Sequence, residues 1–460
     1  MSNQTSAPGW KVAVAGECML SRTFRTHEEP DFLKIKEIMD TADVCYAHLE
    51  MNFGDFSAAP ARGDWIGSYM MADPAIAGEL HWLGIDLMSA ANNHSFDYGP
   101  QGILDTIRNC QAGSLAVAGT GRDLEEARQP AYWEGKAGRV SLISTATGNG
   151  AYEWANMSKG SMPARPGINP MRVKIRYSVP PEDARELKRI GKALGVLREP
   201  GAKIEGNTPV GLEEGEFRLF LASDQSQKGS CVYIEGEDYG IRAKCNANDL
   251  EGNVRSIREA KAMSDLVMVA HHFNLSEGPR GDVPPSFAVE FAHTAIDAGA
   301  DVYFGHGWHK TLGVEIYKGK PIFYGLGNFF AQSQFIRKVP YDSYETWGHD
   351  INSMLTLRPS DEPLHPGMDR VQATWWSSAL IEMEYDADKN IRSIVLYPVE
   401  LGRDVSKEAP ITRHTGKYAE GRPMMAHGKN AQAILERLQA LSKPFGTEFT
   451  IEGETARWEA

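Results

Sequence analysis

The sequence predicts a layered α/β protein, and three patterns along the chain support this fold class. Short runs rich in Val, Ile and Ala, without polar alternation, are typical of strands buried on both faces of a sheet. Each run ends abruptly in polar residues, and a segment with helical spacing follows most of them. Alternating strands and helices form sheets whose ligands bind at the carboxyl ends of the strands, so the polar residues there are the candidate site.

Six runs are predicted as core strands: Lys11–Ala15, Asp43–Ala47, Asp86–Ala91, Asp265–Ala270, Asp301–Phe304 and Pro321–Leu326. Helical spacing is found in four segments: Gly99–Ala112, Pro181–Leu197, Pro285–Ala298 and Ala431–Leu441. A strand pair, Ala379–Tyr385 with Ile391–Leu401, is predicted as an edge hairpin that closes the sheet. Residues 1–401 are therefore predicted as one α/β catalytic domain, and 402–460 as a C-terminal extension with a helix.

Two segments interrupt the pattern. Residues 149–230 are rich in proline and glycine and separate two core strands, which predicts an insertion that acts as a lid. Residues 332–375 are aromatic, proline-rich and irregular, and we expect them to cover the site. Neither segment contains a motif that names a substrate.

Composition limits the partners. The 460 residues are 42% hydrophobic and 24% charged, with a net charge of −13, which argues against a nucleic-acid binder. The five cysteines are scattered and include no Cys-x-x-Cys pair, a pattern that fits reduced thiols. The first apolar run is too short for a signal sequence or a membrane span. We therefore expect a cytoplasmic protein without a membrane partner, and a homo-oligomer is compatible with these features.

The sharpest motif is Gly305-His306-x-x-His309, which directly follows a predicted strand. Two imidazoles at this spacing can bind one metal ion, because imidazole nitrogen is a favoured ligand of zinc, iron and manganese. The alternative is a pair of structural or surface histidines. His272 and His94 follow two other strands, and these additional histidines favour a shared site.

Polar residues at the remaining strand ends complete the candidate set. Glu17 and Glu50 offer oxygen ligands for a divalent cation, or are solvated carboxylates. Asn93 offers an amide ligand, and His94 a proton donor for a leaving group, although this segment also resembles a simple helix start. Arg22 can bind an anion, or form a surface ion pair. Substrate-binding roles are predicted for three further residues: His48, Asn92 and Asn328.

Taken in order, these segments resemble the CapA (poly-γ-glutamate capsule-synthesis, PGA_cap) family over roughly residues 10–150 and 255–335. The resemblance rests on four elements: Gly16-Glu17-Cys18-Met19-Leu20-Ser21-Arg22, His48-Leu49-Glu50, Ala91-Asn92-Asn93-His94-Ser95-Phe96-Asp97-Tyr98-Gly99, and the block from Asp297 through Gly305-His306-x-x-His309 to Phe329. Glu17 stands where the family has Asp, and His48 where it has Asn.

The resemblance implies a calcineurin-like metallophosphoesterase fold, a four-layer αββα sandwich, here with an insertion. It places a divalent metal (Mn, Zn or Fe) at six residues: Glu17, Glu50, Asn93, His272, His306 and His309. It also makes His94 the catalytic histidine. Members of the CapA family are membrane-anchored and face outward, so a capsule role is not expected for this chain.

The leading interpretation is a metal-dependent hydrolase of an anionic small-molecule or peptide-like substrate, in which His94 is the general acid and Arg22 orients the substrate. A second interpretation is a metal-independent acid–base enzyme, such as an epimerase, isomerase or lyase, in which Glu17 and a histidine transfer protons. A third is a ligand-binding protein without catalysis.

Overall fold

The structure is a computed structural model. It describes residues 9–61, 69–135, 137–204, 208–209, 211–219, 231–278, 281–333, 336, 338–346, 373–402 and 421–460. Most of the segment predicted to cover the site, and the first part of the predicted C-terminal extension, lie outside these residues.

The strands of the first half of the chain are β1 (Trp10–Met19), β2 (Val44–Leu49), β3 (Asn52–Phe53), β4 (Met71–Ala72), β5 (Leu87–Ser89), β6 (Ala116–Ala118), β7 (Thr120–Gly121), β8 (Ala131–Gly135), β9 (Gly138–Thr147), β10 (Gly167–Ile168), β11 (Val173–Val179), β12 (Leu197–Arg198), β13 (Lys203–Ile204) and β14 (Thr208–Pro209). Those of the second half are β15 (Glu216–Leu219), β16 (Cys231–Glu235), β17 (Gly240–Cys245), β18 (Leu266–Phe273), β19 (Val302–His306), β20 (Val314–Tyr317), β21 (Lys320–Phe323), β22 (Asn328–Ala331), β23 (Ser377–Tyr385), β24 (Ile391–Glu400), β25 (Met424–Met425), β26 (Thr450–Glu452) and β27 (Thr455–Glu459).

The α-helices of the described residues are α1 (Pro30–Asp40), α2 (Ala75–Leu83), α3 (Gly99–Ala112), α4 (Leu124–Arg128), α5 (Pro181–Ala193), α6 (Ala247–Met263), α7 (Ser286–Ala298), α8 (Tyr341–Thr346) and α9 (Gly428–Ser442). No helix among them is long and apolar enough to cross a membrane.

Two large sheets form the centre of the molecule. In the first, the strand order is β26-β27-β24-β23-β1-β2-β5-β6, with β22 beside the end of β1 and β25 beside β24. In the second, the order is β20-β21-β19-β18-β9-β8. Strands β1, β2, β5 and β6 are parallel, as are β9, β18, β19 and β21, so their carboxyl ends meet at one edge of each sheet.

Alternating side chains bury both faces of each sheet. Val12 and Val14 of β1 pack in the core between the sheets, whereas Ala13 and Ala15 pack in the core beneath α1 and α2. Strand β18 alternates in the same way, toward the first sheet and toward α6 and α7. The result is the predicted four-layer αββα sandwich, with helices on both outer faces.

The predicted hairpin is present as β23 and β24, but its position at the sheet edge was wrong. Strand β24 also pairs with β27, and β26 follows outside β27. The described part of the C-terminal segment therefore continues the first sheet, and α9 packs against the core between the sheets through Leu435 and Leu438.

The segment between β9 and β18 contains a third, smaller sheet in the order β12-β15-β16-β11-β17. It draws strands from the predicted insertion and from residues 231–245 that follow it. Near the start of this segment, Asn149 Nδ2 donates a hydrogen bond of 3.0 Å to the carbonyl of Asn92. This contact joins the segment to the loop that carries His94. The lid function stays a prediction.

Candidate metal centre

The ends of four parallel strands bring the predicted ligands together between the two sheets. Glu17 at the end of β1 pairs in register with His48 of β2, and His272 of β18 pairs with His306 of β19. Glu50 directly follows β2. All five side chains are at most 1% exposed, and His309, in the loop after β19, joins them. The polar strand ends that the sequence predicted as one site do converge.

Strand alternation decides which of two adjacent histidines enters this cluster. His272 follows Ala270 on the face toward the first sheet, and its Nε2 lies 3.9 Å from Glu50 Oε1. His271 faces the helix layer, where its ring nitrogens make hydrogen bonds of 2.7 Å with Thr147 and 2.8 Å with Tyr303. His271 is therefore a structural histidine, whereas His272 belongs to the site.

Two glycines allow the chain to place Glu17 and His309 side by side. A Cβ on Gly16 would lie 2.0 Å from the Gly327 carbonyl, so β1 can approach this turn only with glycine there. Gly307, at φ +107°, donates its N–H to Glu17 Oε1 at 2.6 Å. His309 Nδ1 then lies 2.5 Å from Glu17 Oε2 and 3.6 Å from Glu50 Oε2. The carboxylates and the imidazole thus face one point.

The donor atoms fit a divalent metal. Two groups of three residues each have donor atoms that all lie within 4.8 Å of one another. The groups are Glu17–Glu50–His309 and His48–Glu50–His272, and they share Glu50. Two buried ring nitrogens of the cluster, His272 Nε2 and His306 Nδ1, make no hydrogen bond to the described residues. Buried polar atoms without hydrogen bonds are costly unless another partner binds them, and imidazole with carboxylate is a donor set for Zn, Fe or Mn.

The electrostatics of the cluster keep these ligands in their metal-binding protonation states. Burial lowers the pKa of His48 and His272 well below the ordinary value, and that of His306 to about 4. Burial would raise the pKa of Glu17, but the imidazoles of His309, His272 and His306 together lower it well below its ordinary value. Neutral imidazoles and an ionised carboxylate are the forms that bind metal.

A second layer of hydrogen bonds orients the imidazoles. The Tyr46 hydroxyl forms a hydrogen bond of 2.7 Å with His306 Nε2, and it also contacts Ser89 Oγ at 2.6 Å. Ser89 Oγ in turn contacts His48 Nδ1 at 2.7 Å, and His48 Nε2 lies 3.0 Å from His272 Nδ1. Such partners set the tautomer and the ring angle of metal-binding histidines.

His94 lies beside this cluster, paired with a carboxylate. Its Nδ1 is 2.7 Å from Asp97 Oδ2, which also accepts the Met70 N–H at 2.7 Å. The ring is 7% exposed and close enough that its charge lowers the pKa of His272 further, after burial and other neighbours. A buried imidazole fixed by a carboxylate at the edge of the cluster has the geometry of a proton-transfer residue.

The family model described as "Bacterial capsule synthesis protein PGA_cap" matches residues 11–333 of this chain. The chain belongs to this family.

Curated relatives extend the comparison. The uncharacterized protein y4sH of Sinorhizobium fredii is 31% identical over 456 residues, which cover 96% of this chain and 92% of that protein. The PGA biosynthesis protein CapA of Bacillus subtilis is 23% identical over 256 residues, 55% of this chain and 45% of that protein. The probable polyglutamine synthesis accessory protein Rv0574c of Mycobacterium tuberculosis is 26% identical, over 52% of this chain and 43% of that protein. Similarity to the last two proteins thus covers about half of this chain and less than half of each of them.

Within this PGA_cap chain, the residues predicted to bind substrate have other surroundings. Asn92 is fully buried, and its amide donates to the Leu49 carbonyl at 2.6 Å and accepts the His94 N–H at 2.9 Å. These bonds favour the turn-forming role that the sequence also allowed. His48 is buried between His272 and His306 and stacks on the His306 ring at 4.3 Å. His48 therefore lies among the candidate metal ligands, and its substrate-binding role stays a prediction.

The remaining predicted residues lie around the centre. Asn328 Oδ1 is 3.0 Å from His309 Nδ1, and its amide donates to the Trp375 carbonyl at 3.0 Å, so Asn328 orients His309. Asn93 is 8% exposed in the loop after β5. Arg22 lines a cavity of about 960 Å³, and no predicted metal ligand is among the residues that line it.

Two functional residues were missed by sequence reasoning. Tyr46 lies two residues before His48 on the same face of β2, so period-2 alternation could have indicated it. Trp375 packs its ring 4.3 Å from the His309 ring, centroid to centroid. It lies outside the PGA_cap match, in a segment without a readable motif, and no sequence signal points to it.

Proposed function

We propose that this PGA_cap-family chain is a metal-dependent hydrolase of an anionic small-molecule or peptide-like substrate. The observation that carries the proposal is the buried cluster of carboxylates and imidazoles, in which His272 Nε2 and His306 Nδ1 make no hydrogen bond to the described residues. When bound, a divalent ion supplies a Lewis acid for the scissile bond and lowers the pKa of an attacking water toward neutrality.

The residues that would hold the ion are Glu17, Glu50, His272, His306 and His309. His48 supports them, because its ring nitrogens contact Ser89 and His272. Gly307 N–H fixes one oxygen of Glu17, and Asn328 fixes the ring of His309. Both contacts limit the motion of the ligands before any ion arrives. This preorganisation is what precise metal sites require of their surroundings.

In this proposal His94 donates the proton that the leaving group needs. Asp97 holds Nδ1 of the ring, which assigns the proton transfer to Nε2. The pair is held from a second direction, because Asn52 Nδ2 donates to the His94 carbonyl at 2.6 Å. A positioned acid of this kind contributes about 10²–10⁴-fold in rate.

The test combines metal analysis with turnover. Protein purified without chelator is expected to contain about one or two equivalents of Mn, Zn or Fe, and His309→Ala to lose at least part of it. Turnover is measured with p-nitrophenyl phosphate and with glutamyl-p-nitroanilide, which separate phosphoester from amide hydrolysis. Metal-dependent turnover of either substrate supports the proposal, and chelated protein with full activity refutes it.

One contact favours a second candidate, the metal-independent acid–base enzyme. Glu17 Oε2 and His309 Nδ1 lie 2.5 Å apart, as a proton-transfer pair would. Exchange of substrate protons with solvent deuterium by metal-free protein, abolished by Glu17→Gln, would select this candidate over hydrolysis.

A further inference from the structure

A cavity of about 960 Å³ is lined by residues that follow β1 and by residues of β4, and it has the size that encloses a small organic ligand. Its walls combine apolar side chains, among them Phe24, Met71 and Ile76, with the cationic side chains of Arg22, Lys338 and Arg422. The cavity therefore offers both an apolar surface and positive charge.

Two paths of contact join this cavity to the site. On one side, β1 and β22 pair at Glu17 and Asn328, and the strand ends lead to Arg22, whose N–H donates to Gln332 Oε1 at 3.3 Å. On the other side, the cavity residue Met71 follows Met70, whose N–H binds the carboxylate that holds His94. The lining is thus connected along the chain to the strand that carries Glu17 and to the carboxylate that holds His94.

Arg422 is the buried cation of this cavity. Its side chain has no exposed surface, its guanidinium lies 4.8 Å over the Phe32 ring, and Nη2 donates to Glu29 Oε1 at 2.5 Å. Nε and Nη1 are buried and make no hydrogen bond to the described residues. Leaving charged N–H groups unsatisfied costs free energy, and a guanidinium recovers it best by binding a carboxylate or a phosphate.

The acidic residues of the cavity are placed differently. Asp55 and Asp73 are exposed at its rim, and each accepts a backbone N–H of its own turn, from Ser57 and Ala75 at 2.9 Å. Burial and the charge of Arg422 lower the pKa of His27, which therefore adds no positive charge near neutral pH. The three cationic side chains of the lining outnumber these two carboxylates, and this excess of positive charge favours an anion.

We infer that this cavity binds an oxyanion, a carboxylate or a phosphate, attached to an apolar body, and that Arg422 with Lys338 receives the oxyanion. The inference rests on the proposed function only in taking this ligand as the part of the substrate remote from the reacting bond. Lys338 and Arg422 both lie outside residues 11–333, so this selectivity belongs to the C-terminal part of the chain and not to the matched family region.

The test measures binding and not turnover. Phenylphosphonate and phenylacetate are titrated calorimetrically into the full chain as purified, because both carry an oxyanion on an apolar ring and neither offers an ester or amide to hydrolyse. Binding of either is expected, and it should weaken with salt. The preferred probe identifies the oxyanion as phosphate-like or carboxylate-like.

Variants locate the bound probe. Arg422→Met is expected to weaken binding tenfold or more, Arg422→Lys less, and the exposed Lys338→Met about two- to fivefold. Arg437→Met, which removes an arginine paired with Asp282 elsewhere on the C-terminal segment, is the matched control and should leave binding unchanged. Lys338→Met keeps the test decisive if Arg422→Met does not fold.

Two results would overturn the inference: wild-type affinity in both Lys338→Met and the Arg422 variants, or binding that disappears in His309→Ala and persists in Arg422→Met. The second result would place the anion at the metal and leave the proposed hydrolase standing. Arg422-dependent binding in a protein that turns over no substrate would instead refute the hydrolase alone.

Discussion

Replacing His94 separates catalysis from stability. His94→Asn keeps a polar side chain but removes the imidazole, the group that can donate a proton to a leaving group. The imidazole is 7% exposed and 2.7 Å from Asp97, whose other hydrogen bond, from the Met70 N–H, does not involve the ring. We therefore expect a folded variant in which the carboxylate has lost one charge-assisted bond.

The two expected effects differ in size. Loss of a hydrogen bond to a buried charged group costs about 1–3 kcal/mol, which lowers the melting temperature of a chain of this length by a few degrees. Loss of a general acid lowers turnover by about 10²–10⁴-fold. Metal content should not change, because His94 belongs to neither group of clustered ligands.

The assay needs a buried histidine whose loss affects stability alone, and His271 provides it. His271 adjoins the ligand His272 but faces the helix layer, with both ring nitrogens bonded to hydroxyls. His271→Asn should lower the melting temperature and retain turnover per folded molecule. If His94→Asn behaves like His271→Asn, melting earlier at near wild-type turnover of the two chromogenic substrates, the acid role is wrong.

Three further predictions address the surroundings of the site. Asn328→Ala should weaken metal binding about 10–100-fold, because it removes the contact that orients His309, and it should lower the melting temperature, because the Trp375 carbonyl loses its donor; metal-buffer titration measures the affinity, and unchanged affinity would contradict the prediction. Gly307→Ala should lower both melting temperature and metal content, since its Cβ would lie 2.4 Å from a carbonyl oxygen at positive φ; a wild-type melting curve would show that the loop can shift. Asp86→Asn should stabilise the protein by up to about 3 kcal/mol at pH 7–8, because burial raises the pKa of Asp86 from 3.8 to about 6 and the native state therefore loses stability as the pH rises from about 4 to 6. The gain in melting temperature of the variant should vanish near pH 4, and a pH-independent difference would refute this cause.

Much of the fold follows from patterns that are local in the sequence. Strands buried on both faces appear as apolar runs, and parallel strands deliver their final residues to one edge, so Glu17, His272 and His306 could be placed in one site without coordinates. The strands beyond β24 could not be predicted in this way. Thr450–Glu452 and Thr455–Glu459 are short and carry exposed charged residues, which gives no clear apolar alternation.

The roles of residues within the site depended on the register between the two sheets, and a sequence does not show that register. His48 and Tyr46 project from the first sheet, and they meet His272 and His306 only because β18 and β19 of the second sheet end at the same depth. The packing of the two sheets thus places His48 beside His272 and His306, which the sequence alone did not indicate. The same reasoning applies to Trp375, which reaches His309 from a distant part of the chain. Family motifs therefore predict which residues converge at the candidate centre, whereas packing between the sheets and from the C-terminal part determines how their side chains are oriented.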